Sequence, residues 1–262
     1  MPTVNNRPRR ATASKELSPN AAISAARTLA RNVDKLDFSD AVPWVYNPLK
    51  YAWKMHEQYL ERYARSSCEI VFLGMNPGPW GMAQTGVPFG EIPAVRDYLG
   101  IEAKVRKPDP EHPKRPITGL DCGRSEVSGR RLWGLFSECF PDPNTFFDKH
   151  FVTNYCPLVF MEESARNVTP DKLPAGMRTE LEAICDRHLQ TLLDVLTPNW
   201  VVGVGAFAEN CAKRVLQQIQ NSDIHIGRIL HPSPASPAAN RDWAGTAMRQ
   251  LRELGIWGSE QS

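Results

Sequence analysis

The sequence predicts a single α/β domain of three layers, with a central, mostly parallel four-stranded sheet flanked by helices. Four short apolar runs are rich in β-branched or aromatic residues, and longer segments with helical spacing lie between them. Strands without polar alternation are typical of a parallel sheet that is covered on both faces. With 262 residues, the chain can form one large domain with a substantial core.

The predicted elements follow one another from residue 47 onward. After Asn47, aromatic and apolar side chains recur at helical spacing, which indicates an amphipathic helix. Strands are predicted at 69–75, 151–160, 200–207 and 224–231. Helices are predicted near 128–140, 177–196, 206–220 and 239–254.

The N-terminal segment differs from the rest of the chain. Residues 1–35 are polar and lack a sustained apolar period, so we expect a flexible basic arm there, with a short helix near 20–32 as an open alternative. The first fifteen residues contain four basic and no acidic residues. The folded domain is then expected at 36–258. A four-residue basic cluster is weak evidence for targeting, so nucleus and bacterial cytoplasm both stay open.

Composition limits the classes of function. The hydrophobic share is 42%, and the six cysteines never form a CxxC pair, which argues against a disulfide framework and a cysteine-bound metal or cluster. We expect reduced thiols in an intracellular protein with no metal and no cofactor. No apolar run approaches the roughly 20 residues that span a bilayer, so no membrane partner is expected. The net charge of +2 neither requires nor excludes nucleic acid.

Candidate site residues follow the ends of the predicted strands. Asn76 comes after the first strand, Asn154 lies in the second, and His231 closes the fourth. Phe89 ends a loop, GMNPGPWGMAQTGVPFG (74–90), that is too rich in glycine and proline for helix or strand. Ligands of parallel sheets bind outside the carboxyl ends of the strands. These residues therefore indicate a rigid pocket suited to a flat ring.

Structural interpretations compete with this one. A phosphate-binding loop would need lysine after its last glycine, whereas Met82 follows Gly81 and Val87 follows Gly86. Taken singly, an asparagine after a strand is more often a turn residue, and a strand-end histidine is more often a cap or core residue. A buried amide either satisfies local backbone or reads a ligand. Their shared position favours the ligand.

Two long motifs carry a family resemblance. The stretches 74–91 (GMNPGPWGMAQTGVPFGE) and 231–240 (HPSPASPAAN) closely resemble the active-site motifs of the SMUG-type uracil-DNA glycosylases, which are single-strand-selective monofunctional enzymes of the uracil-DNA glycosylase superfamily. The likeness covers most of the chain from about Phe38. Further matching text is YNPLKYAW, EHPKRP, SEVSG, NYCPL, RNVTP and WVVGVG.

The resemblance implies a fold, a reaction and residue roles. The fold would be that of the uracil-DNA glycosylases, with residues 36–258 as the catalytic domain. His231 would donate a hydrogen bond to uracil O2 as charge develops there, and Asn76 would hold the attacking water. Asn154 would read O4 and N3–H of the base. An abasic site would remain, because neither motif holds a lysine that could form a Schiff base.

The same resemblance implies the walls of the pocket. Phe89 would stack on the flipped base, and Gly78 would leave space at C5 for water or a hydroxymethyl group, with Met82 at the same edge. This space makes 5-hydroxymethyluracil an expected second substrate. Met75 would complete the substrate-binding set.

DNA contacts are expected from a proline-rich wedge and from basic side chains. The expected contacts are Pro232, Ser233, Pro234, Ala235 and Ser236 of the wedge, with Lys114, Arg115 and Arg130 and, more loosely, Arg124 and Arg131. Vertebrate members of the resembled family carry a large basic residue where Ala235 stands, which predicts weaker base extrusion from duplex DNA here. Trp80 stands where a smaller ring is common in the resembled family, a milder departure for which we expect repacking of the loop.

Three functions remain open from the sequence. The first is an active glycosylase, monomeric, acting on uracil or 5-modified uracil in single- and double-stranded DNA. The second is a damage- or single-strand-binding protein with reduced catalysis. The third is an α/β enzyme that acts on a free nucleotide or nucleoside.

Overall fold

A parallel sheet of four strands lies at the centre of the computed structural model, which describes residues 17–221 and 223–258. The strand order is β3-β2-β6-β7, and all three neighbouring pairs are parallel. The strands are β2 (Ile70–Gly74), β3 (His150–Asn154), β6 (Trp200–Val204) and β7 (His225–Ile229). The predicted α/β fold with a four-stranded parallel sheet is confirmed.

Helices cover both faces of this sheet. Side chains of a strand alternate between faces, so Phe72 and Phe151, which are out of step in the β2–β3 register, point in opposite directions. Phe72 packs against Phe136, and Phe151 packs against Tyr59. The helices are α1 (Leu17–Val33), α2 (Pro48–Tyr51), α3 (Trp53–Tyr63), α4 (Met82–Thr85), α5 (Val127–Cys139), α6 (Pro143–Phe147), α7 (Ala175–Leu196), α8 (Ala206–Gln218) and α9 (Pro237–Glu253). Three layers result, as predicted.

Helix α1 corrects the predicted domain boundary. Ala22, Ala26, Leu29 and Val33 are buried in the main core, a spacing that places them on one face of the helix. The helix that the sequence allows as an alternative near 20–32 therefore exists. The folded domain includes part of the predicted flexible arm, so the predicted boundary at residue 35 is wrong. Residues 1–16 lie outside the described residues, so a flexible arm there stays a prediction.

A second, antiparallel sheet was not predicted. Its strands are β1 (Trp44–Tyr46), β4 (Val159–Met161) and β5 (Asn167–Val168), in the order β1-β4-β5. The strand predicted at 151–160 is in fact two strands in different sheets, because the chain leaves β3 at Asn154 and Pro157 interrupts the backbone donors. The helix predicted after Asn47 likewise breaks, at Ala52, into α2 and α3.

The six cysteines are free, and four of them are buried. Within residues 17–221 and 223–258, no helix is long and apolar enough to cross a membrane.

Candidate active site

The loop after β2 and the end of β3 meet at the carboxyl edge of the sheet. Gly74 and Asn154 are opposite each other in the β2–β3 register. Beyond them, the N–H of Tyr155 donates to Gly74 O at 2.9 Å, and the N–H of Cys156 donates to Met75 O at 2.9 Å. The predicted site residue Met75 is thus fixed against the chain that leaves β3.

Asn154 is buried, with only a weak partner for its side-chain amide. Its Nδ2 lies 3.3 Å from Met82 Sδ, and a thioether is a poor acceptor. A Cβ atom at Gly74 would lie 2.2 Å from Asn154 Oδ1 and 2.6 Å from the Phe89 ring. The bare backbone of Gly74 therefore lets the amide and the ring approach each other. The sequence singled out both side chains but not this glycine.

Phe89 adopts a conformation that non-glycine residues avoid. Its φ of 54° lies in the left-handed region, which costs about 1–3 kcal/mol. A Cβ at Gly129 would lie 2.0 Å from Phe89 O, so α5 must carry glycine there. Trp133 of the same helix donates its indole N–H to Pro88 O at 3.2 Å. Helix α5 thus holds the strained backbone that places the ring, whose centroid is 6.4 Å from that of His231.

His231 follows β7 and packs on another glycine. Gly205 has φ 95°, and a Cβ there would be 3.1 Å from His231 Cβ. Burial lowers the pKa of His231 below its ordinary 6.5, so the imidazole is neutral at neutral pH. No hydrogen bond joins its ring to another residue that the structure describes. A neutral imidazole with a free N–H can donate to a ligand atom without being an acid.

Asn76 is oriented by the backbone. Its Nδ2 donates to Leu158 O at 3.1 Å, which fixes the plane of the amide. The other end, Oδ1, is an acceptor. The arrangement can hold a water molecule but cannot take its proton, since an amide is not a base at ordinary pH.

Glu126 lies where a side chain at Gly78 would begin. A Cβ at Gly78 would be 2.2 Å from Glu126 Oε2, and one at Gly81 would be 2.9 Å from Glu126 Cγ. The N–H of Trp80 donates to Glu126 Oε2 at 3.3 Å. Burial raises the pKa of Glu126, although N–H donors, Trp80 first, oppose this. Glycine is therefore needed at 78 for this carboxyl, while the expected space at C5 of a bound base stays a prediction.

The proline-rich loop before α9 is braced by Arg131. The guanidinium Nη1 donates to Pro232 O at 3.1 Å, and Nη2 donates to Asn240 Oδ1 at 2.9 Å. Asn240 Nδ2 in turn donates to Pro234 O at 2.8 Å. The sequence predicts a phosphate contact at Arg131, whereas the folded chain uses this side chain to support the loop.

The wedge has a rigid base and an exposed tip. Ser233 Oγ accepts the N–H of Ala235 at 3.1 Å, and Ser236 Oγ caps α9 by accepting the N–H of Ala239 at 3.4 Å. Pro234 and Ala235 are exposed, whereas Pro232 is buried. The tip alone is free to contact another molecule.

The predicted basic residues are spread around the rim. Arg115 lies over the Trp80 ring, and Arg130 donates to Ser125 Oγ at 3.2 Å. The Lys114 side chain is exposed. The structure thus brings Met82, Asn154, Phe89 and His231 together and leaves Lys114 and Arg130 outside that group.

Sequence reasoning missed Gly74, Gly205 and Glu126. Each glycine lets a distant part of the chain approach its backbone closely, and Glu126 accepts a hydrogen bond from Trp80, which lies 46 positions away along the chain. No local pattern in the sequence therefore marks these residues. The cap at Ser236 was readable, since serine before proline is typical of a helix start.

Fold and site together define an α/β protein with polar and aromatic side chains gathered at the carboxyl ends of parallel strands, where such proteins bind ligands. Residues 61–252 match the model of the family described as Uracil DNA glycosylase superfamily. The chain belongs to this superfamily.

Similar proteins agree with this assignment. The single-strand selective monofunctional uracil DNA glycosylase of Bos taurus is 49% identical over 222 residues, covering 85% of this chain and 81% of its own length. The protein of that name from Rattus norvegicus is 48% identical over 228 residues, covering 87% of this chain and 82% of its own. The crystal structure of wild-type Pedobacter heparinus SMUG2 shares the fold, with a TM-score of 0.60, 15% identity, and coverage of 89% of this chain and 99% of that one.

Proposed function

We propose that the protein is a monofunctional DNA glycosylase that hydrolyses the N-glycosidic bond of uracil in DNA and leaves an abasic site for base-excision repair. One observation carries this proposal. Asn76, Asn154 and His231 all stand at the carboxyl side of the parallel sheet, after β2, at the end of β3 and after β7, and each keeps a polar atom that the fold does not use. The names of the curated relatives support the same reaction.

His231 performs the main electrostatic work. Cleavage leaves a negatively charged base and an oxocarbenium-like sugar. A neutral imidazole that donates to uracil O2 stabilises this charge as it forms, and one such donor lowers the barrier by about 3–4 kcal/mol. Asn76 positions the water that attacks the sugar. Because an amide takes no proton, the reaction depends on leaving-group stabilisation rather than on a general base.

Asn154 and Phe89 select the base. The amide pairs with O4 and N3–H of uracil, and cytosine presents the reverse donor and acceptor pattern. Phe89 stacks on the extruded ring, while the Pro234–Ala235 tip enters the vacated position in the helix. We propose 5-hydroxymethyluracil as a second substrate, with the Glu126 carboxyl on the Gly78 side of the pocket.

The partner in this proposal is single- or double-stranded DNA, and the protein acts as a monomer without a cofactor. It works in the nucleus of a eukaryote or in the cytoplasm of a bacterium.

End-labelled single-stranded and duplex oligonucleotides with one uracil, 5-hydroxymethyluracil, thymine or cytosine test the proposal. We expect alkali-labile abasic sites from the first two bases and none from cytosine. DNA binding without abasic product would establish the binding protein instead. Hydrolysis of free deoxyuridine as fast as of the oligonucleotide would establish the nucleoside enzyme.

A further inference from the structure

Trp80 lies in the same loop as Asn76, on a backbone that is fixed from below. Its N–H donates to Glu126 Oε2 at 3.3 Å, and the glycines at 78 and 81 both pack on the Glu126 side chain. The half-buried indole is therefore held in a defined place beside the candidate active site. The resemblance to known glycosylases assigns it no role.

Two guanidinium groups lie over this ring. Arg115 Cζ is 4.8 Å and Arg124 Cζ is 5.6 Å from the ring centroid, both within the range of cation–π contact. The two arginines come from separate segments, one from the basic stretch at 104–116 and the other from the chain just before α5. The fold therefore gathers two like charges on one aromatic side chain.

Neither guanidinium forms an ion pair with a carboxylate of the described residues. In the part of the chain that the structure describes, neither guanidinium has a carboxylate oxygen within 4.0 Å. Arg115 Nη1 donates to Lys114 O at 3.2 Å, while its buried Nε has no hydrogen-bond partner among the described residues. The Arg131 guanidinium, by contrast, donates hydrogen bonds to Pro232 O and Asn240 Oδ1. The pair on Trp80 is the arrangement that an anion would stabilise.

We propose that Trp80, Arg115 and Arg124 form a phosphate clamp that binds the DNA backbone beside the extruded nucleotide. Stacking uses the flat face of a guanidinium and leaves its edge N–H groups for phosphate oxygens. A single strand suffices for this contact, so the clamp acts on single-stranded DNA. The proposal rests on the proposed function because it takes DNA as the ligand.

Binding of a uracil-free single-stranded oligonucleotide, measured by fluorescence anisotropy from 50 to 300 mM salt, tests the clamp. Arg115→Ala/Arg124→Ala is expected to weaken binding about tenfold and to reduce the slope of log K against log salt by about 0.7 for each phosphate that the two arginines neutralise. The matched control, Arg187→Ala/Arg249→Ala, removes two exposed arginines from α7 and α9. Equal affinity and slope in the two double variants would overturn the proposal.

Trp80 itself is tested by a conservative pair of variants. Trp80→Ala removes the surface on which both arginines lie and is expected to weaken binding several-fold, whereas Trp80→Phe keeps a ring and restores most of the affinity. Identical binding by both variants and wild type would show that the ring has no role. The proposed function fails separately: wild-type protein that releases no uracil refutes the glycosylase, while the binding comparison still decides whether the clamp exists.

Discussion

Asn154 and Tyr155 are neighbours at the end of β3, yet their polar groups have opposite surroundings. The Asn154 amide has only a thioether beside its Nδ2. The Tyr155 hydroxyl donates to Asp186 Oδ1 at 2.6 Å and accepts from Arg214 Nη2 at 2.8 Å. Arg214 Nε also donates to Asp186 Oδ2 at 2.9 Å. One region has its hydrogen bonds complete within the chain, and the other has polar atoms that the fold leaves unused.

The comparison separates stability from function. A satisfied buried network stabilises the fold, and losing one partner exposes the full cost of burying the others. Unsatisfied groups at the site contribute little to folding and gain their partners only when a ligand binds. Changes in the two regions should therefore appear in different measurements.

The largest effect is expected at the site. His231→Ala and Asn76→Ala should each reduce the single-turnover rate of uracil excision about 10²- to 10³-fold, because each removes a group that the proposed mechanism assigns to the leaving base or to the attacking water. Their free energies of unfolding should change by only about 1 kcal/mol, the cost of one ordinary hydrogen bond. A variant that kept a near-normal rate, or that unfolded before it could be assayed, would contradict the separation.

Arg214→Met is expected to have the opposite effect: a lower free energy of unfolding with little change in the rate of excision by the folded protein. It leaves the buried Asp186 carboxylate without its cation, a change that costs about 3–5 kcal/mol at fully buried pairs; since the Arg214 side chain is 34% exposed, we expect about 2–3 kcal/mol. Urea unfolding measures this loss in the free energy of unfolding. Lys213→Met, at the neighbouring exposed position, should cost less than about 0.5 kcal/mol. Equal destabilisation of the two variants would show that the network is not a source of stability.

Buried histidines add a pH dependence to the stable region. Burial lowers the pKa of His56, His150 and His188 from 6.5 to about 4. The unfolded chain takes up protons near pH 6.5 and the folded chain only near pH 4, so the stability that these groups provide is complete above about pH 6.5 and is lost as the pH falls towards 4. Each group can account for about 2–3 kcal/mol of this decline.

Urea midpoints between pH 7.5 and 4.5 check this expectation. His188→Gln should reduce the decline by the share that this one imidazole contributes. A midpoint that stays constant over this pH range would mean that the imidazoles titrate equally in both states.

The smallest effect is expected at the wedge tip. Ala235→Arg should leave the free energy of unfolding within about 0.5 kcal/mol of wild type, because the position is exposed. It should raise excision from duplex DNA a few-fold relative to single strands, since a longer basic side chain fills the vacated stack and meets a phosphate. Ala238→Arg adds the same charge to the first turn of α9 as a control. No gain on duplex DNA, or the same gain in the control, would count against the wedge.

Much of this architecture was readable from the sequence, for a physical reason. The parallel strands lie in largely apolar runs, and residues at the ends of parallel strands reach the same side of the sheet, so Asn76, Asn154 and His231 could be singled out together. The second sheet escaped because strands of two or three residues carry no periodicity. Helix α1 stayed only an alternative because alanines form much of its buried face and give a weak apolar signal.

The side chains that support the site were harder to find. Glu126 and Arg131 look like ordinary surface charges in the sequence. Only in the folded chain does Glu126 accept the N–H of Trp80, and only there does Arg131 donate to the carbonyl groups of the wedge. Their partners lie far away along the chain, where no pattern of spacing connects them.

Helix α5 has a consequence for changing this protein's substrate range. Its first turns and the residue before them support the loop of Asn76 through Glu126, the backbone of Phe89 through Gly129, and the wedge through Arg131. One helix thus supports three parts of the site. Directed evolution that moves this helix would disturb water, stacking ring and wedge at once. Altered specificity is therefore more accessible from strand-borne residues than from any redesign of α5.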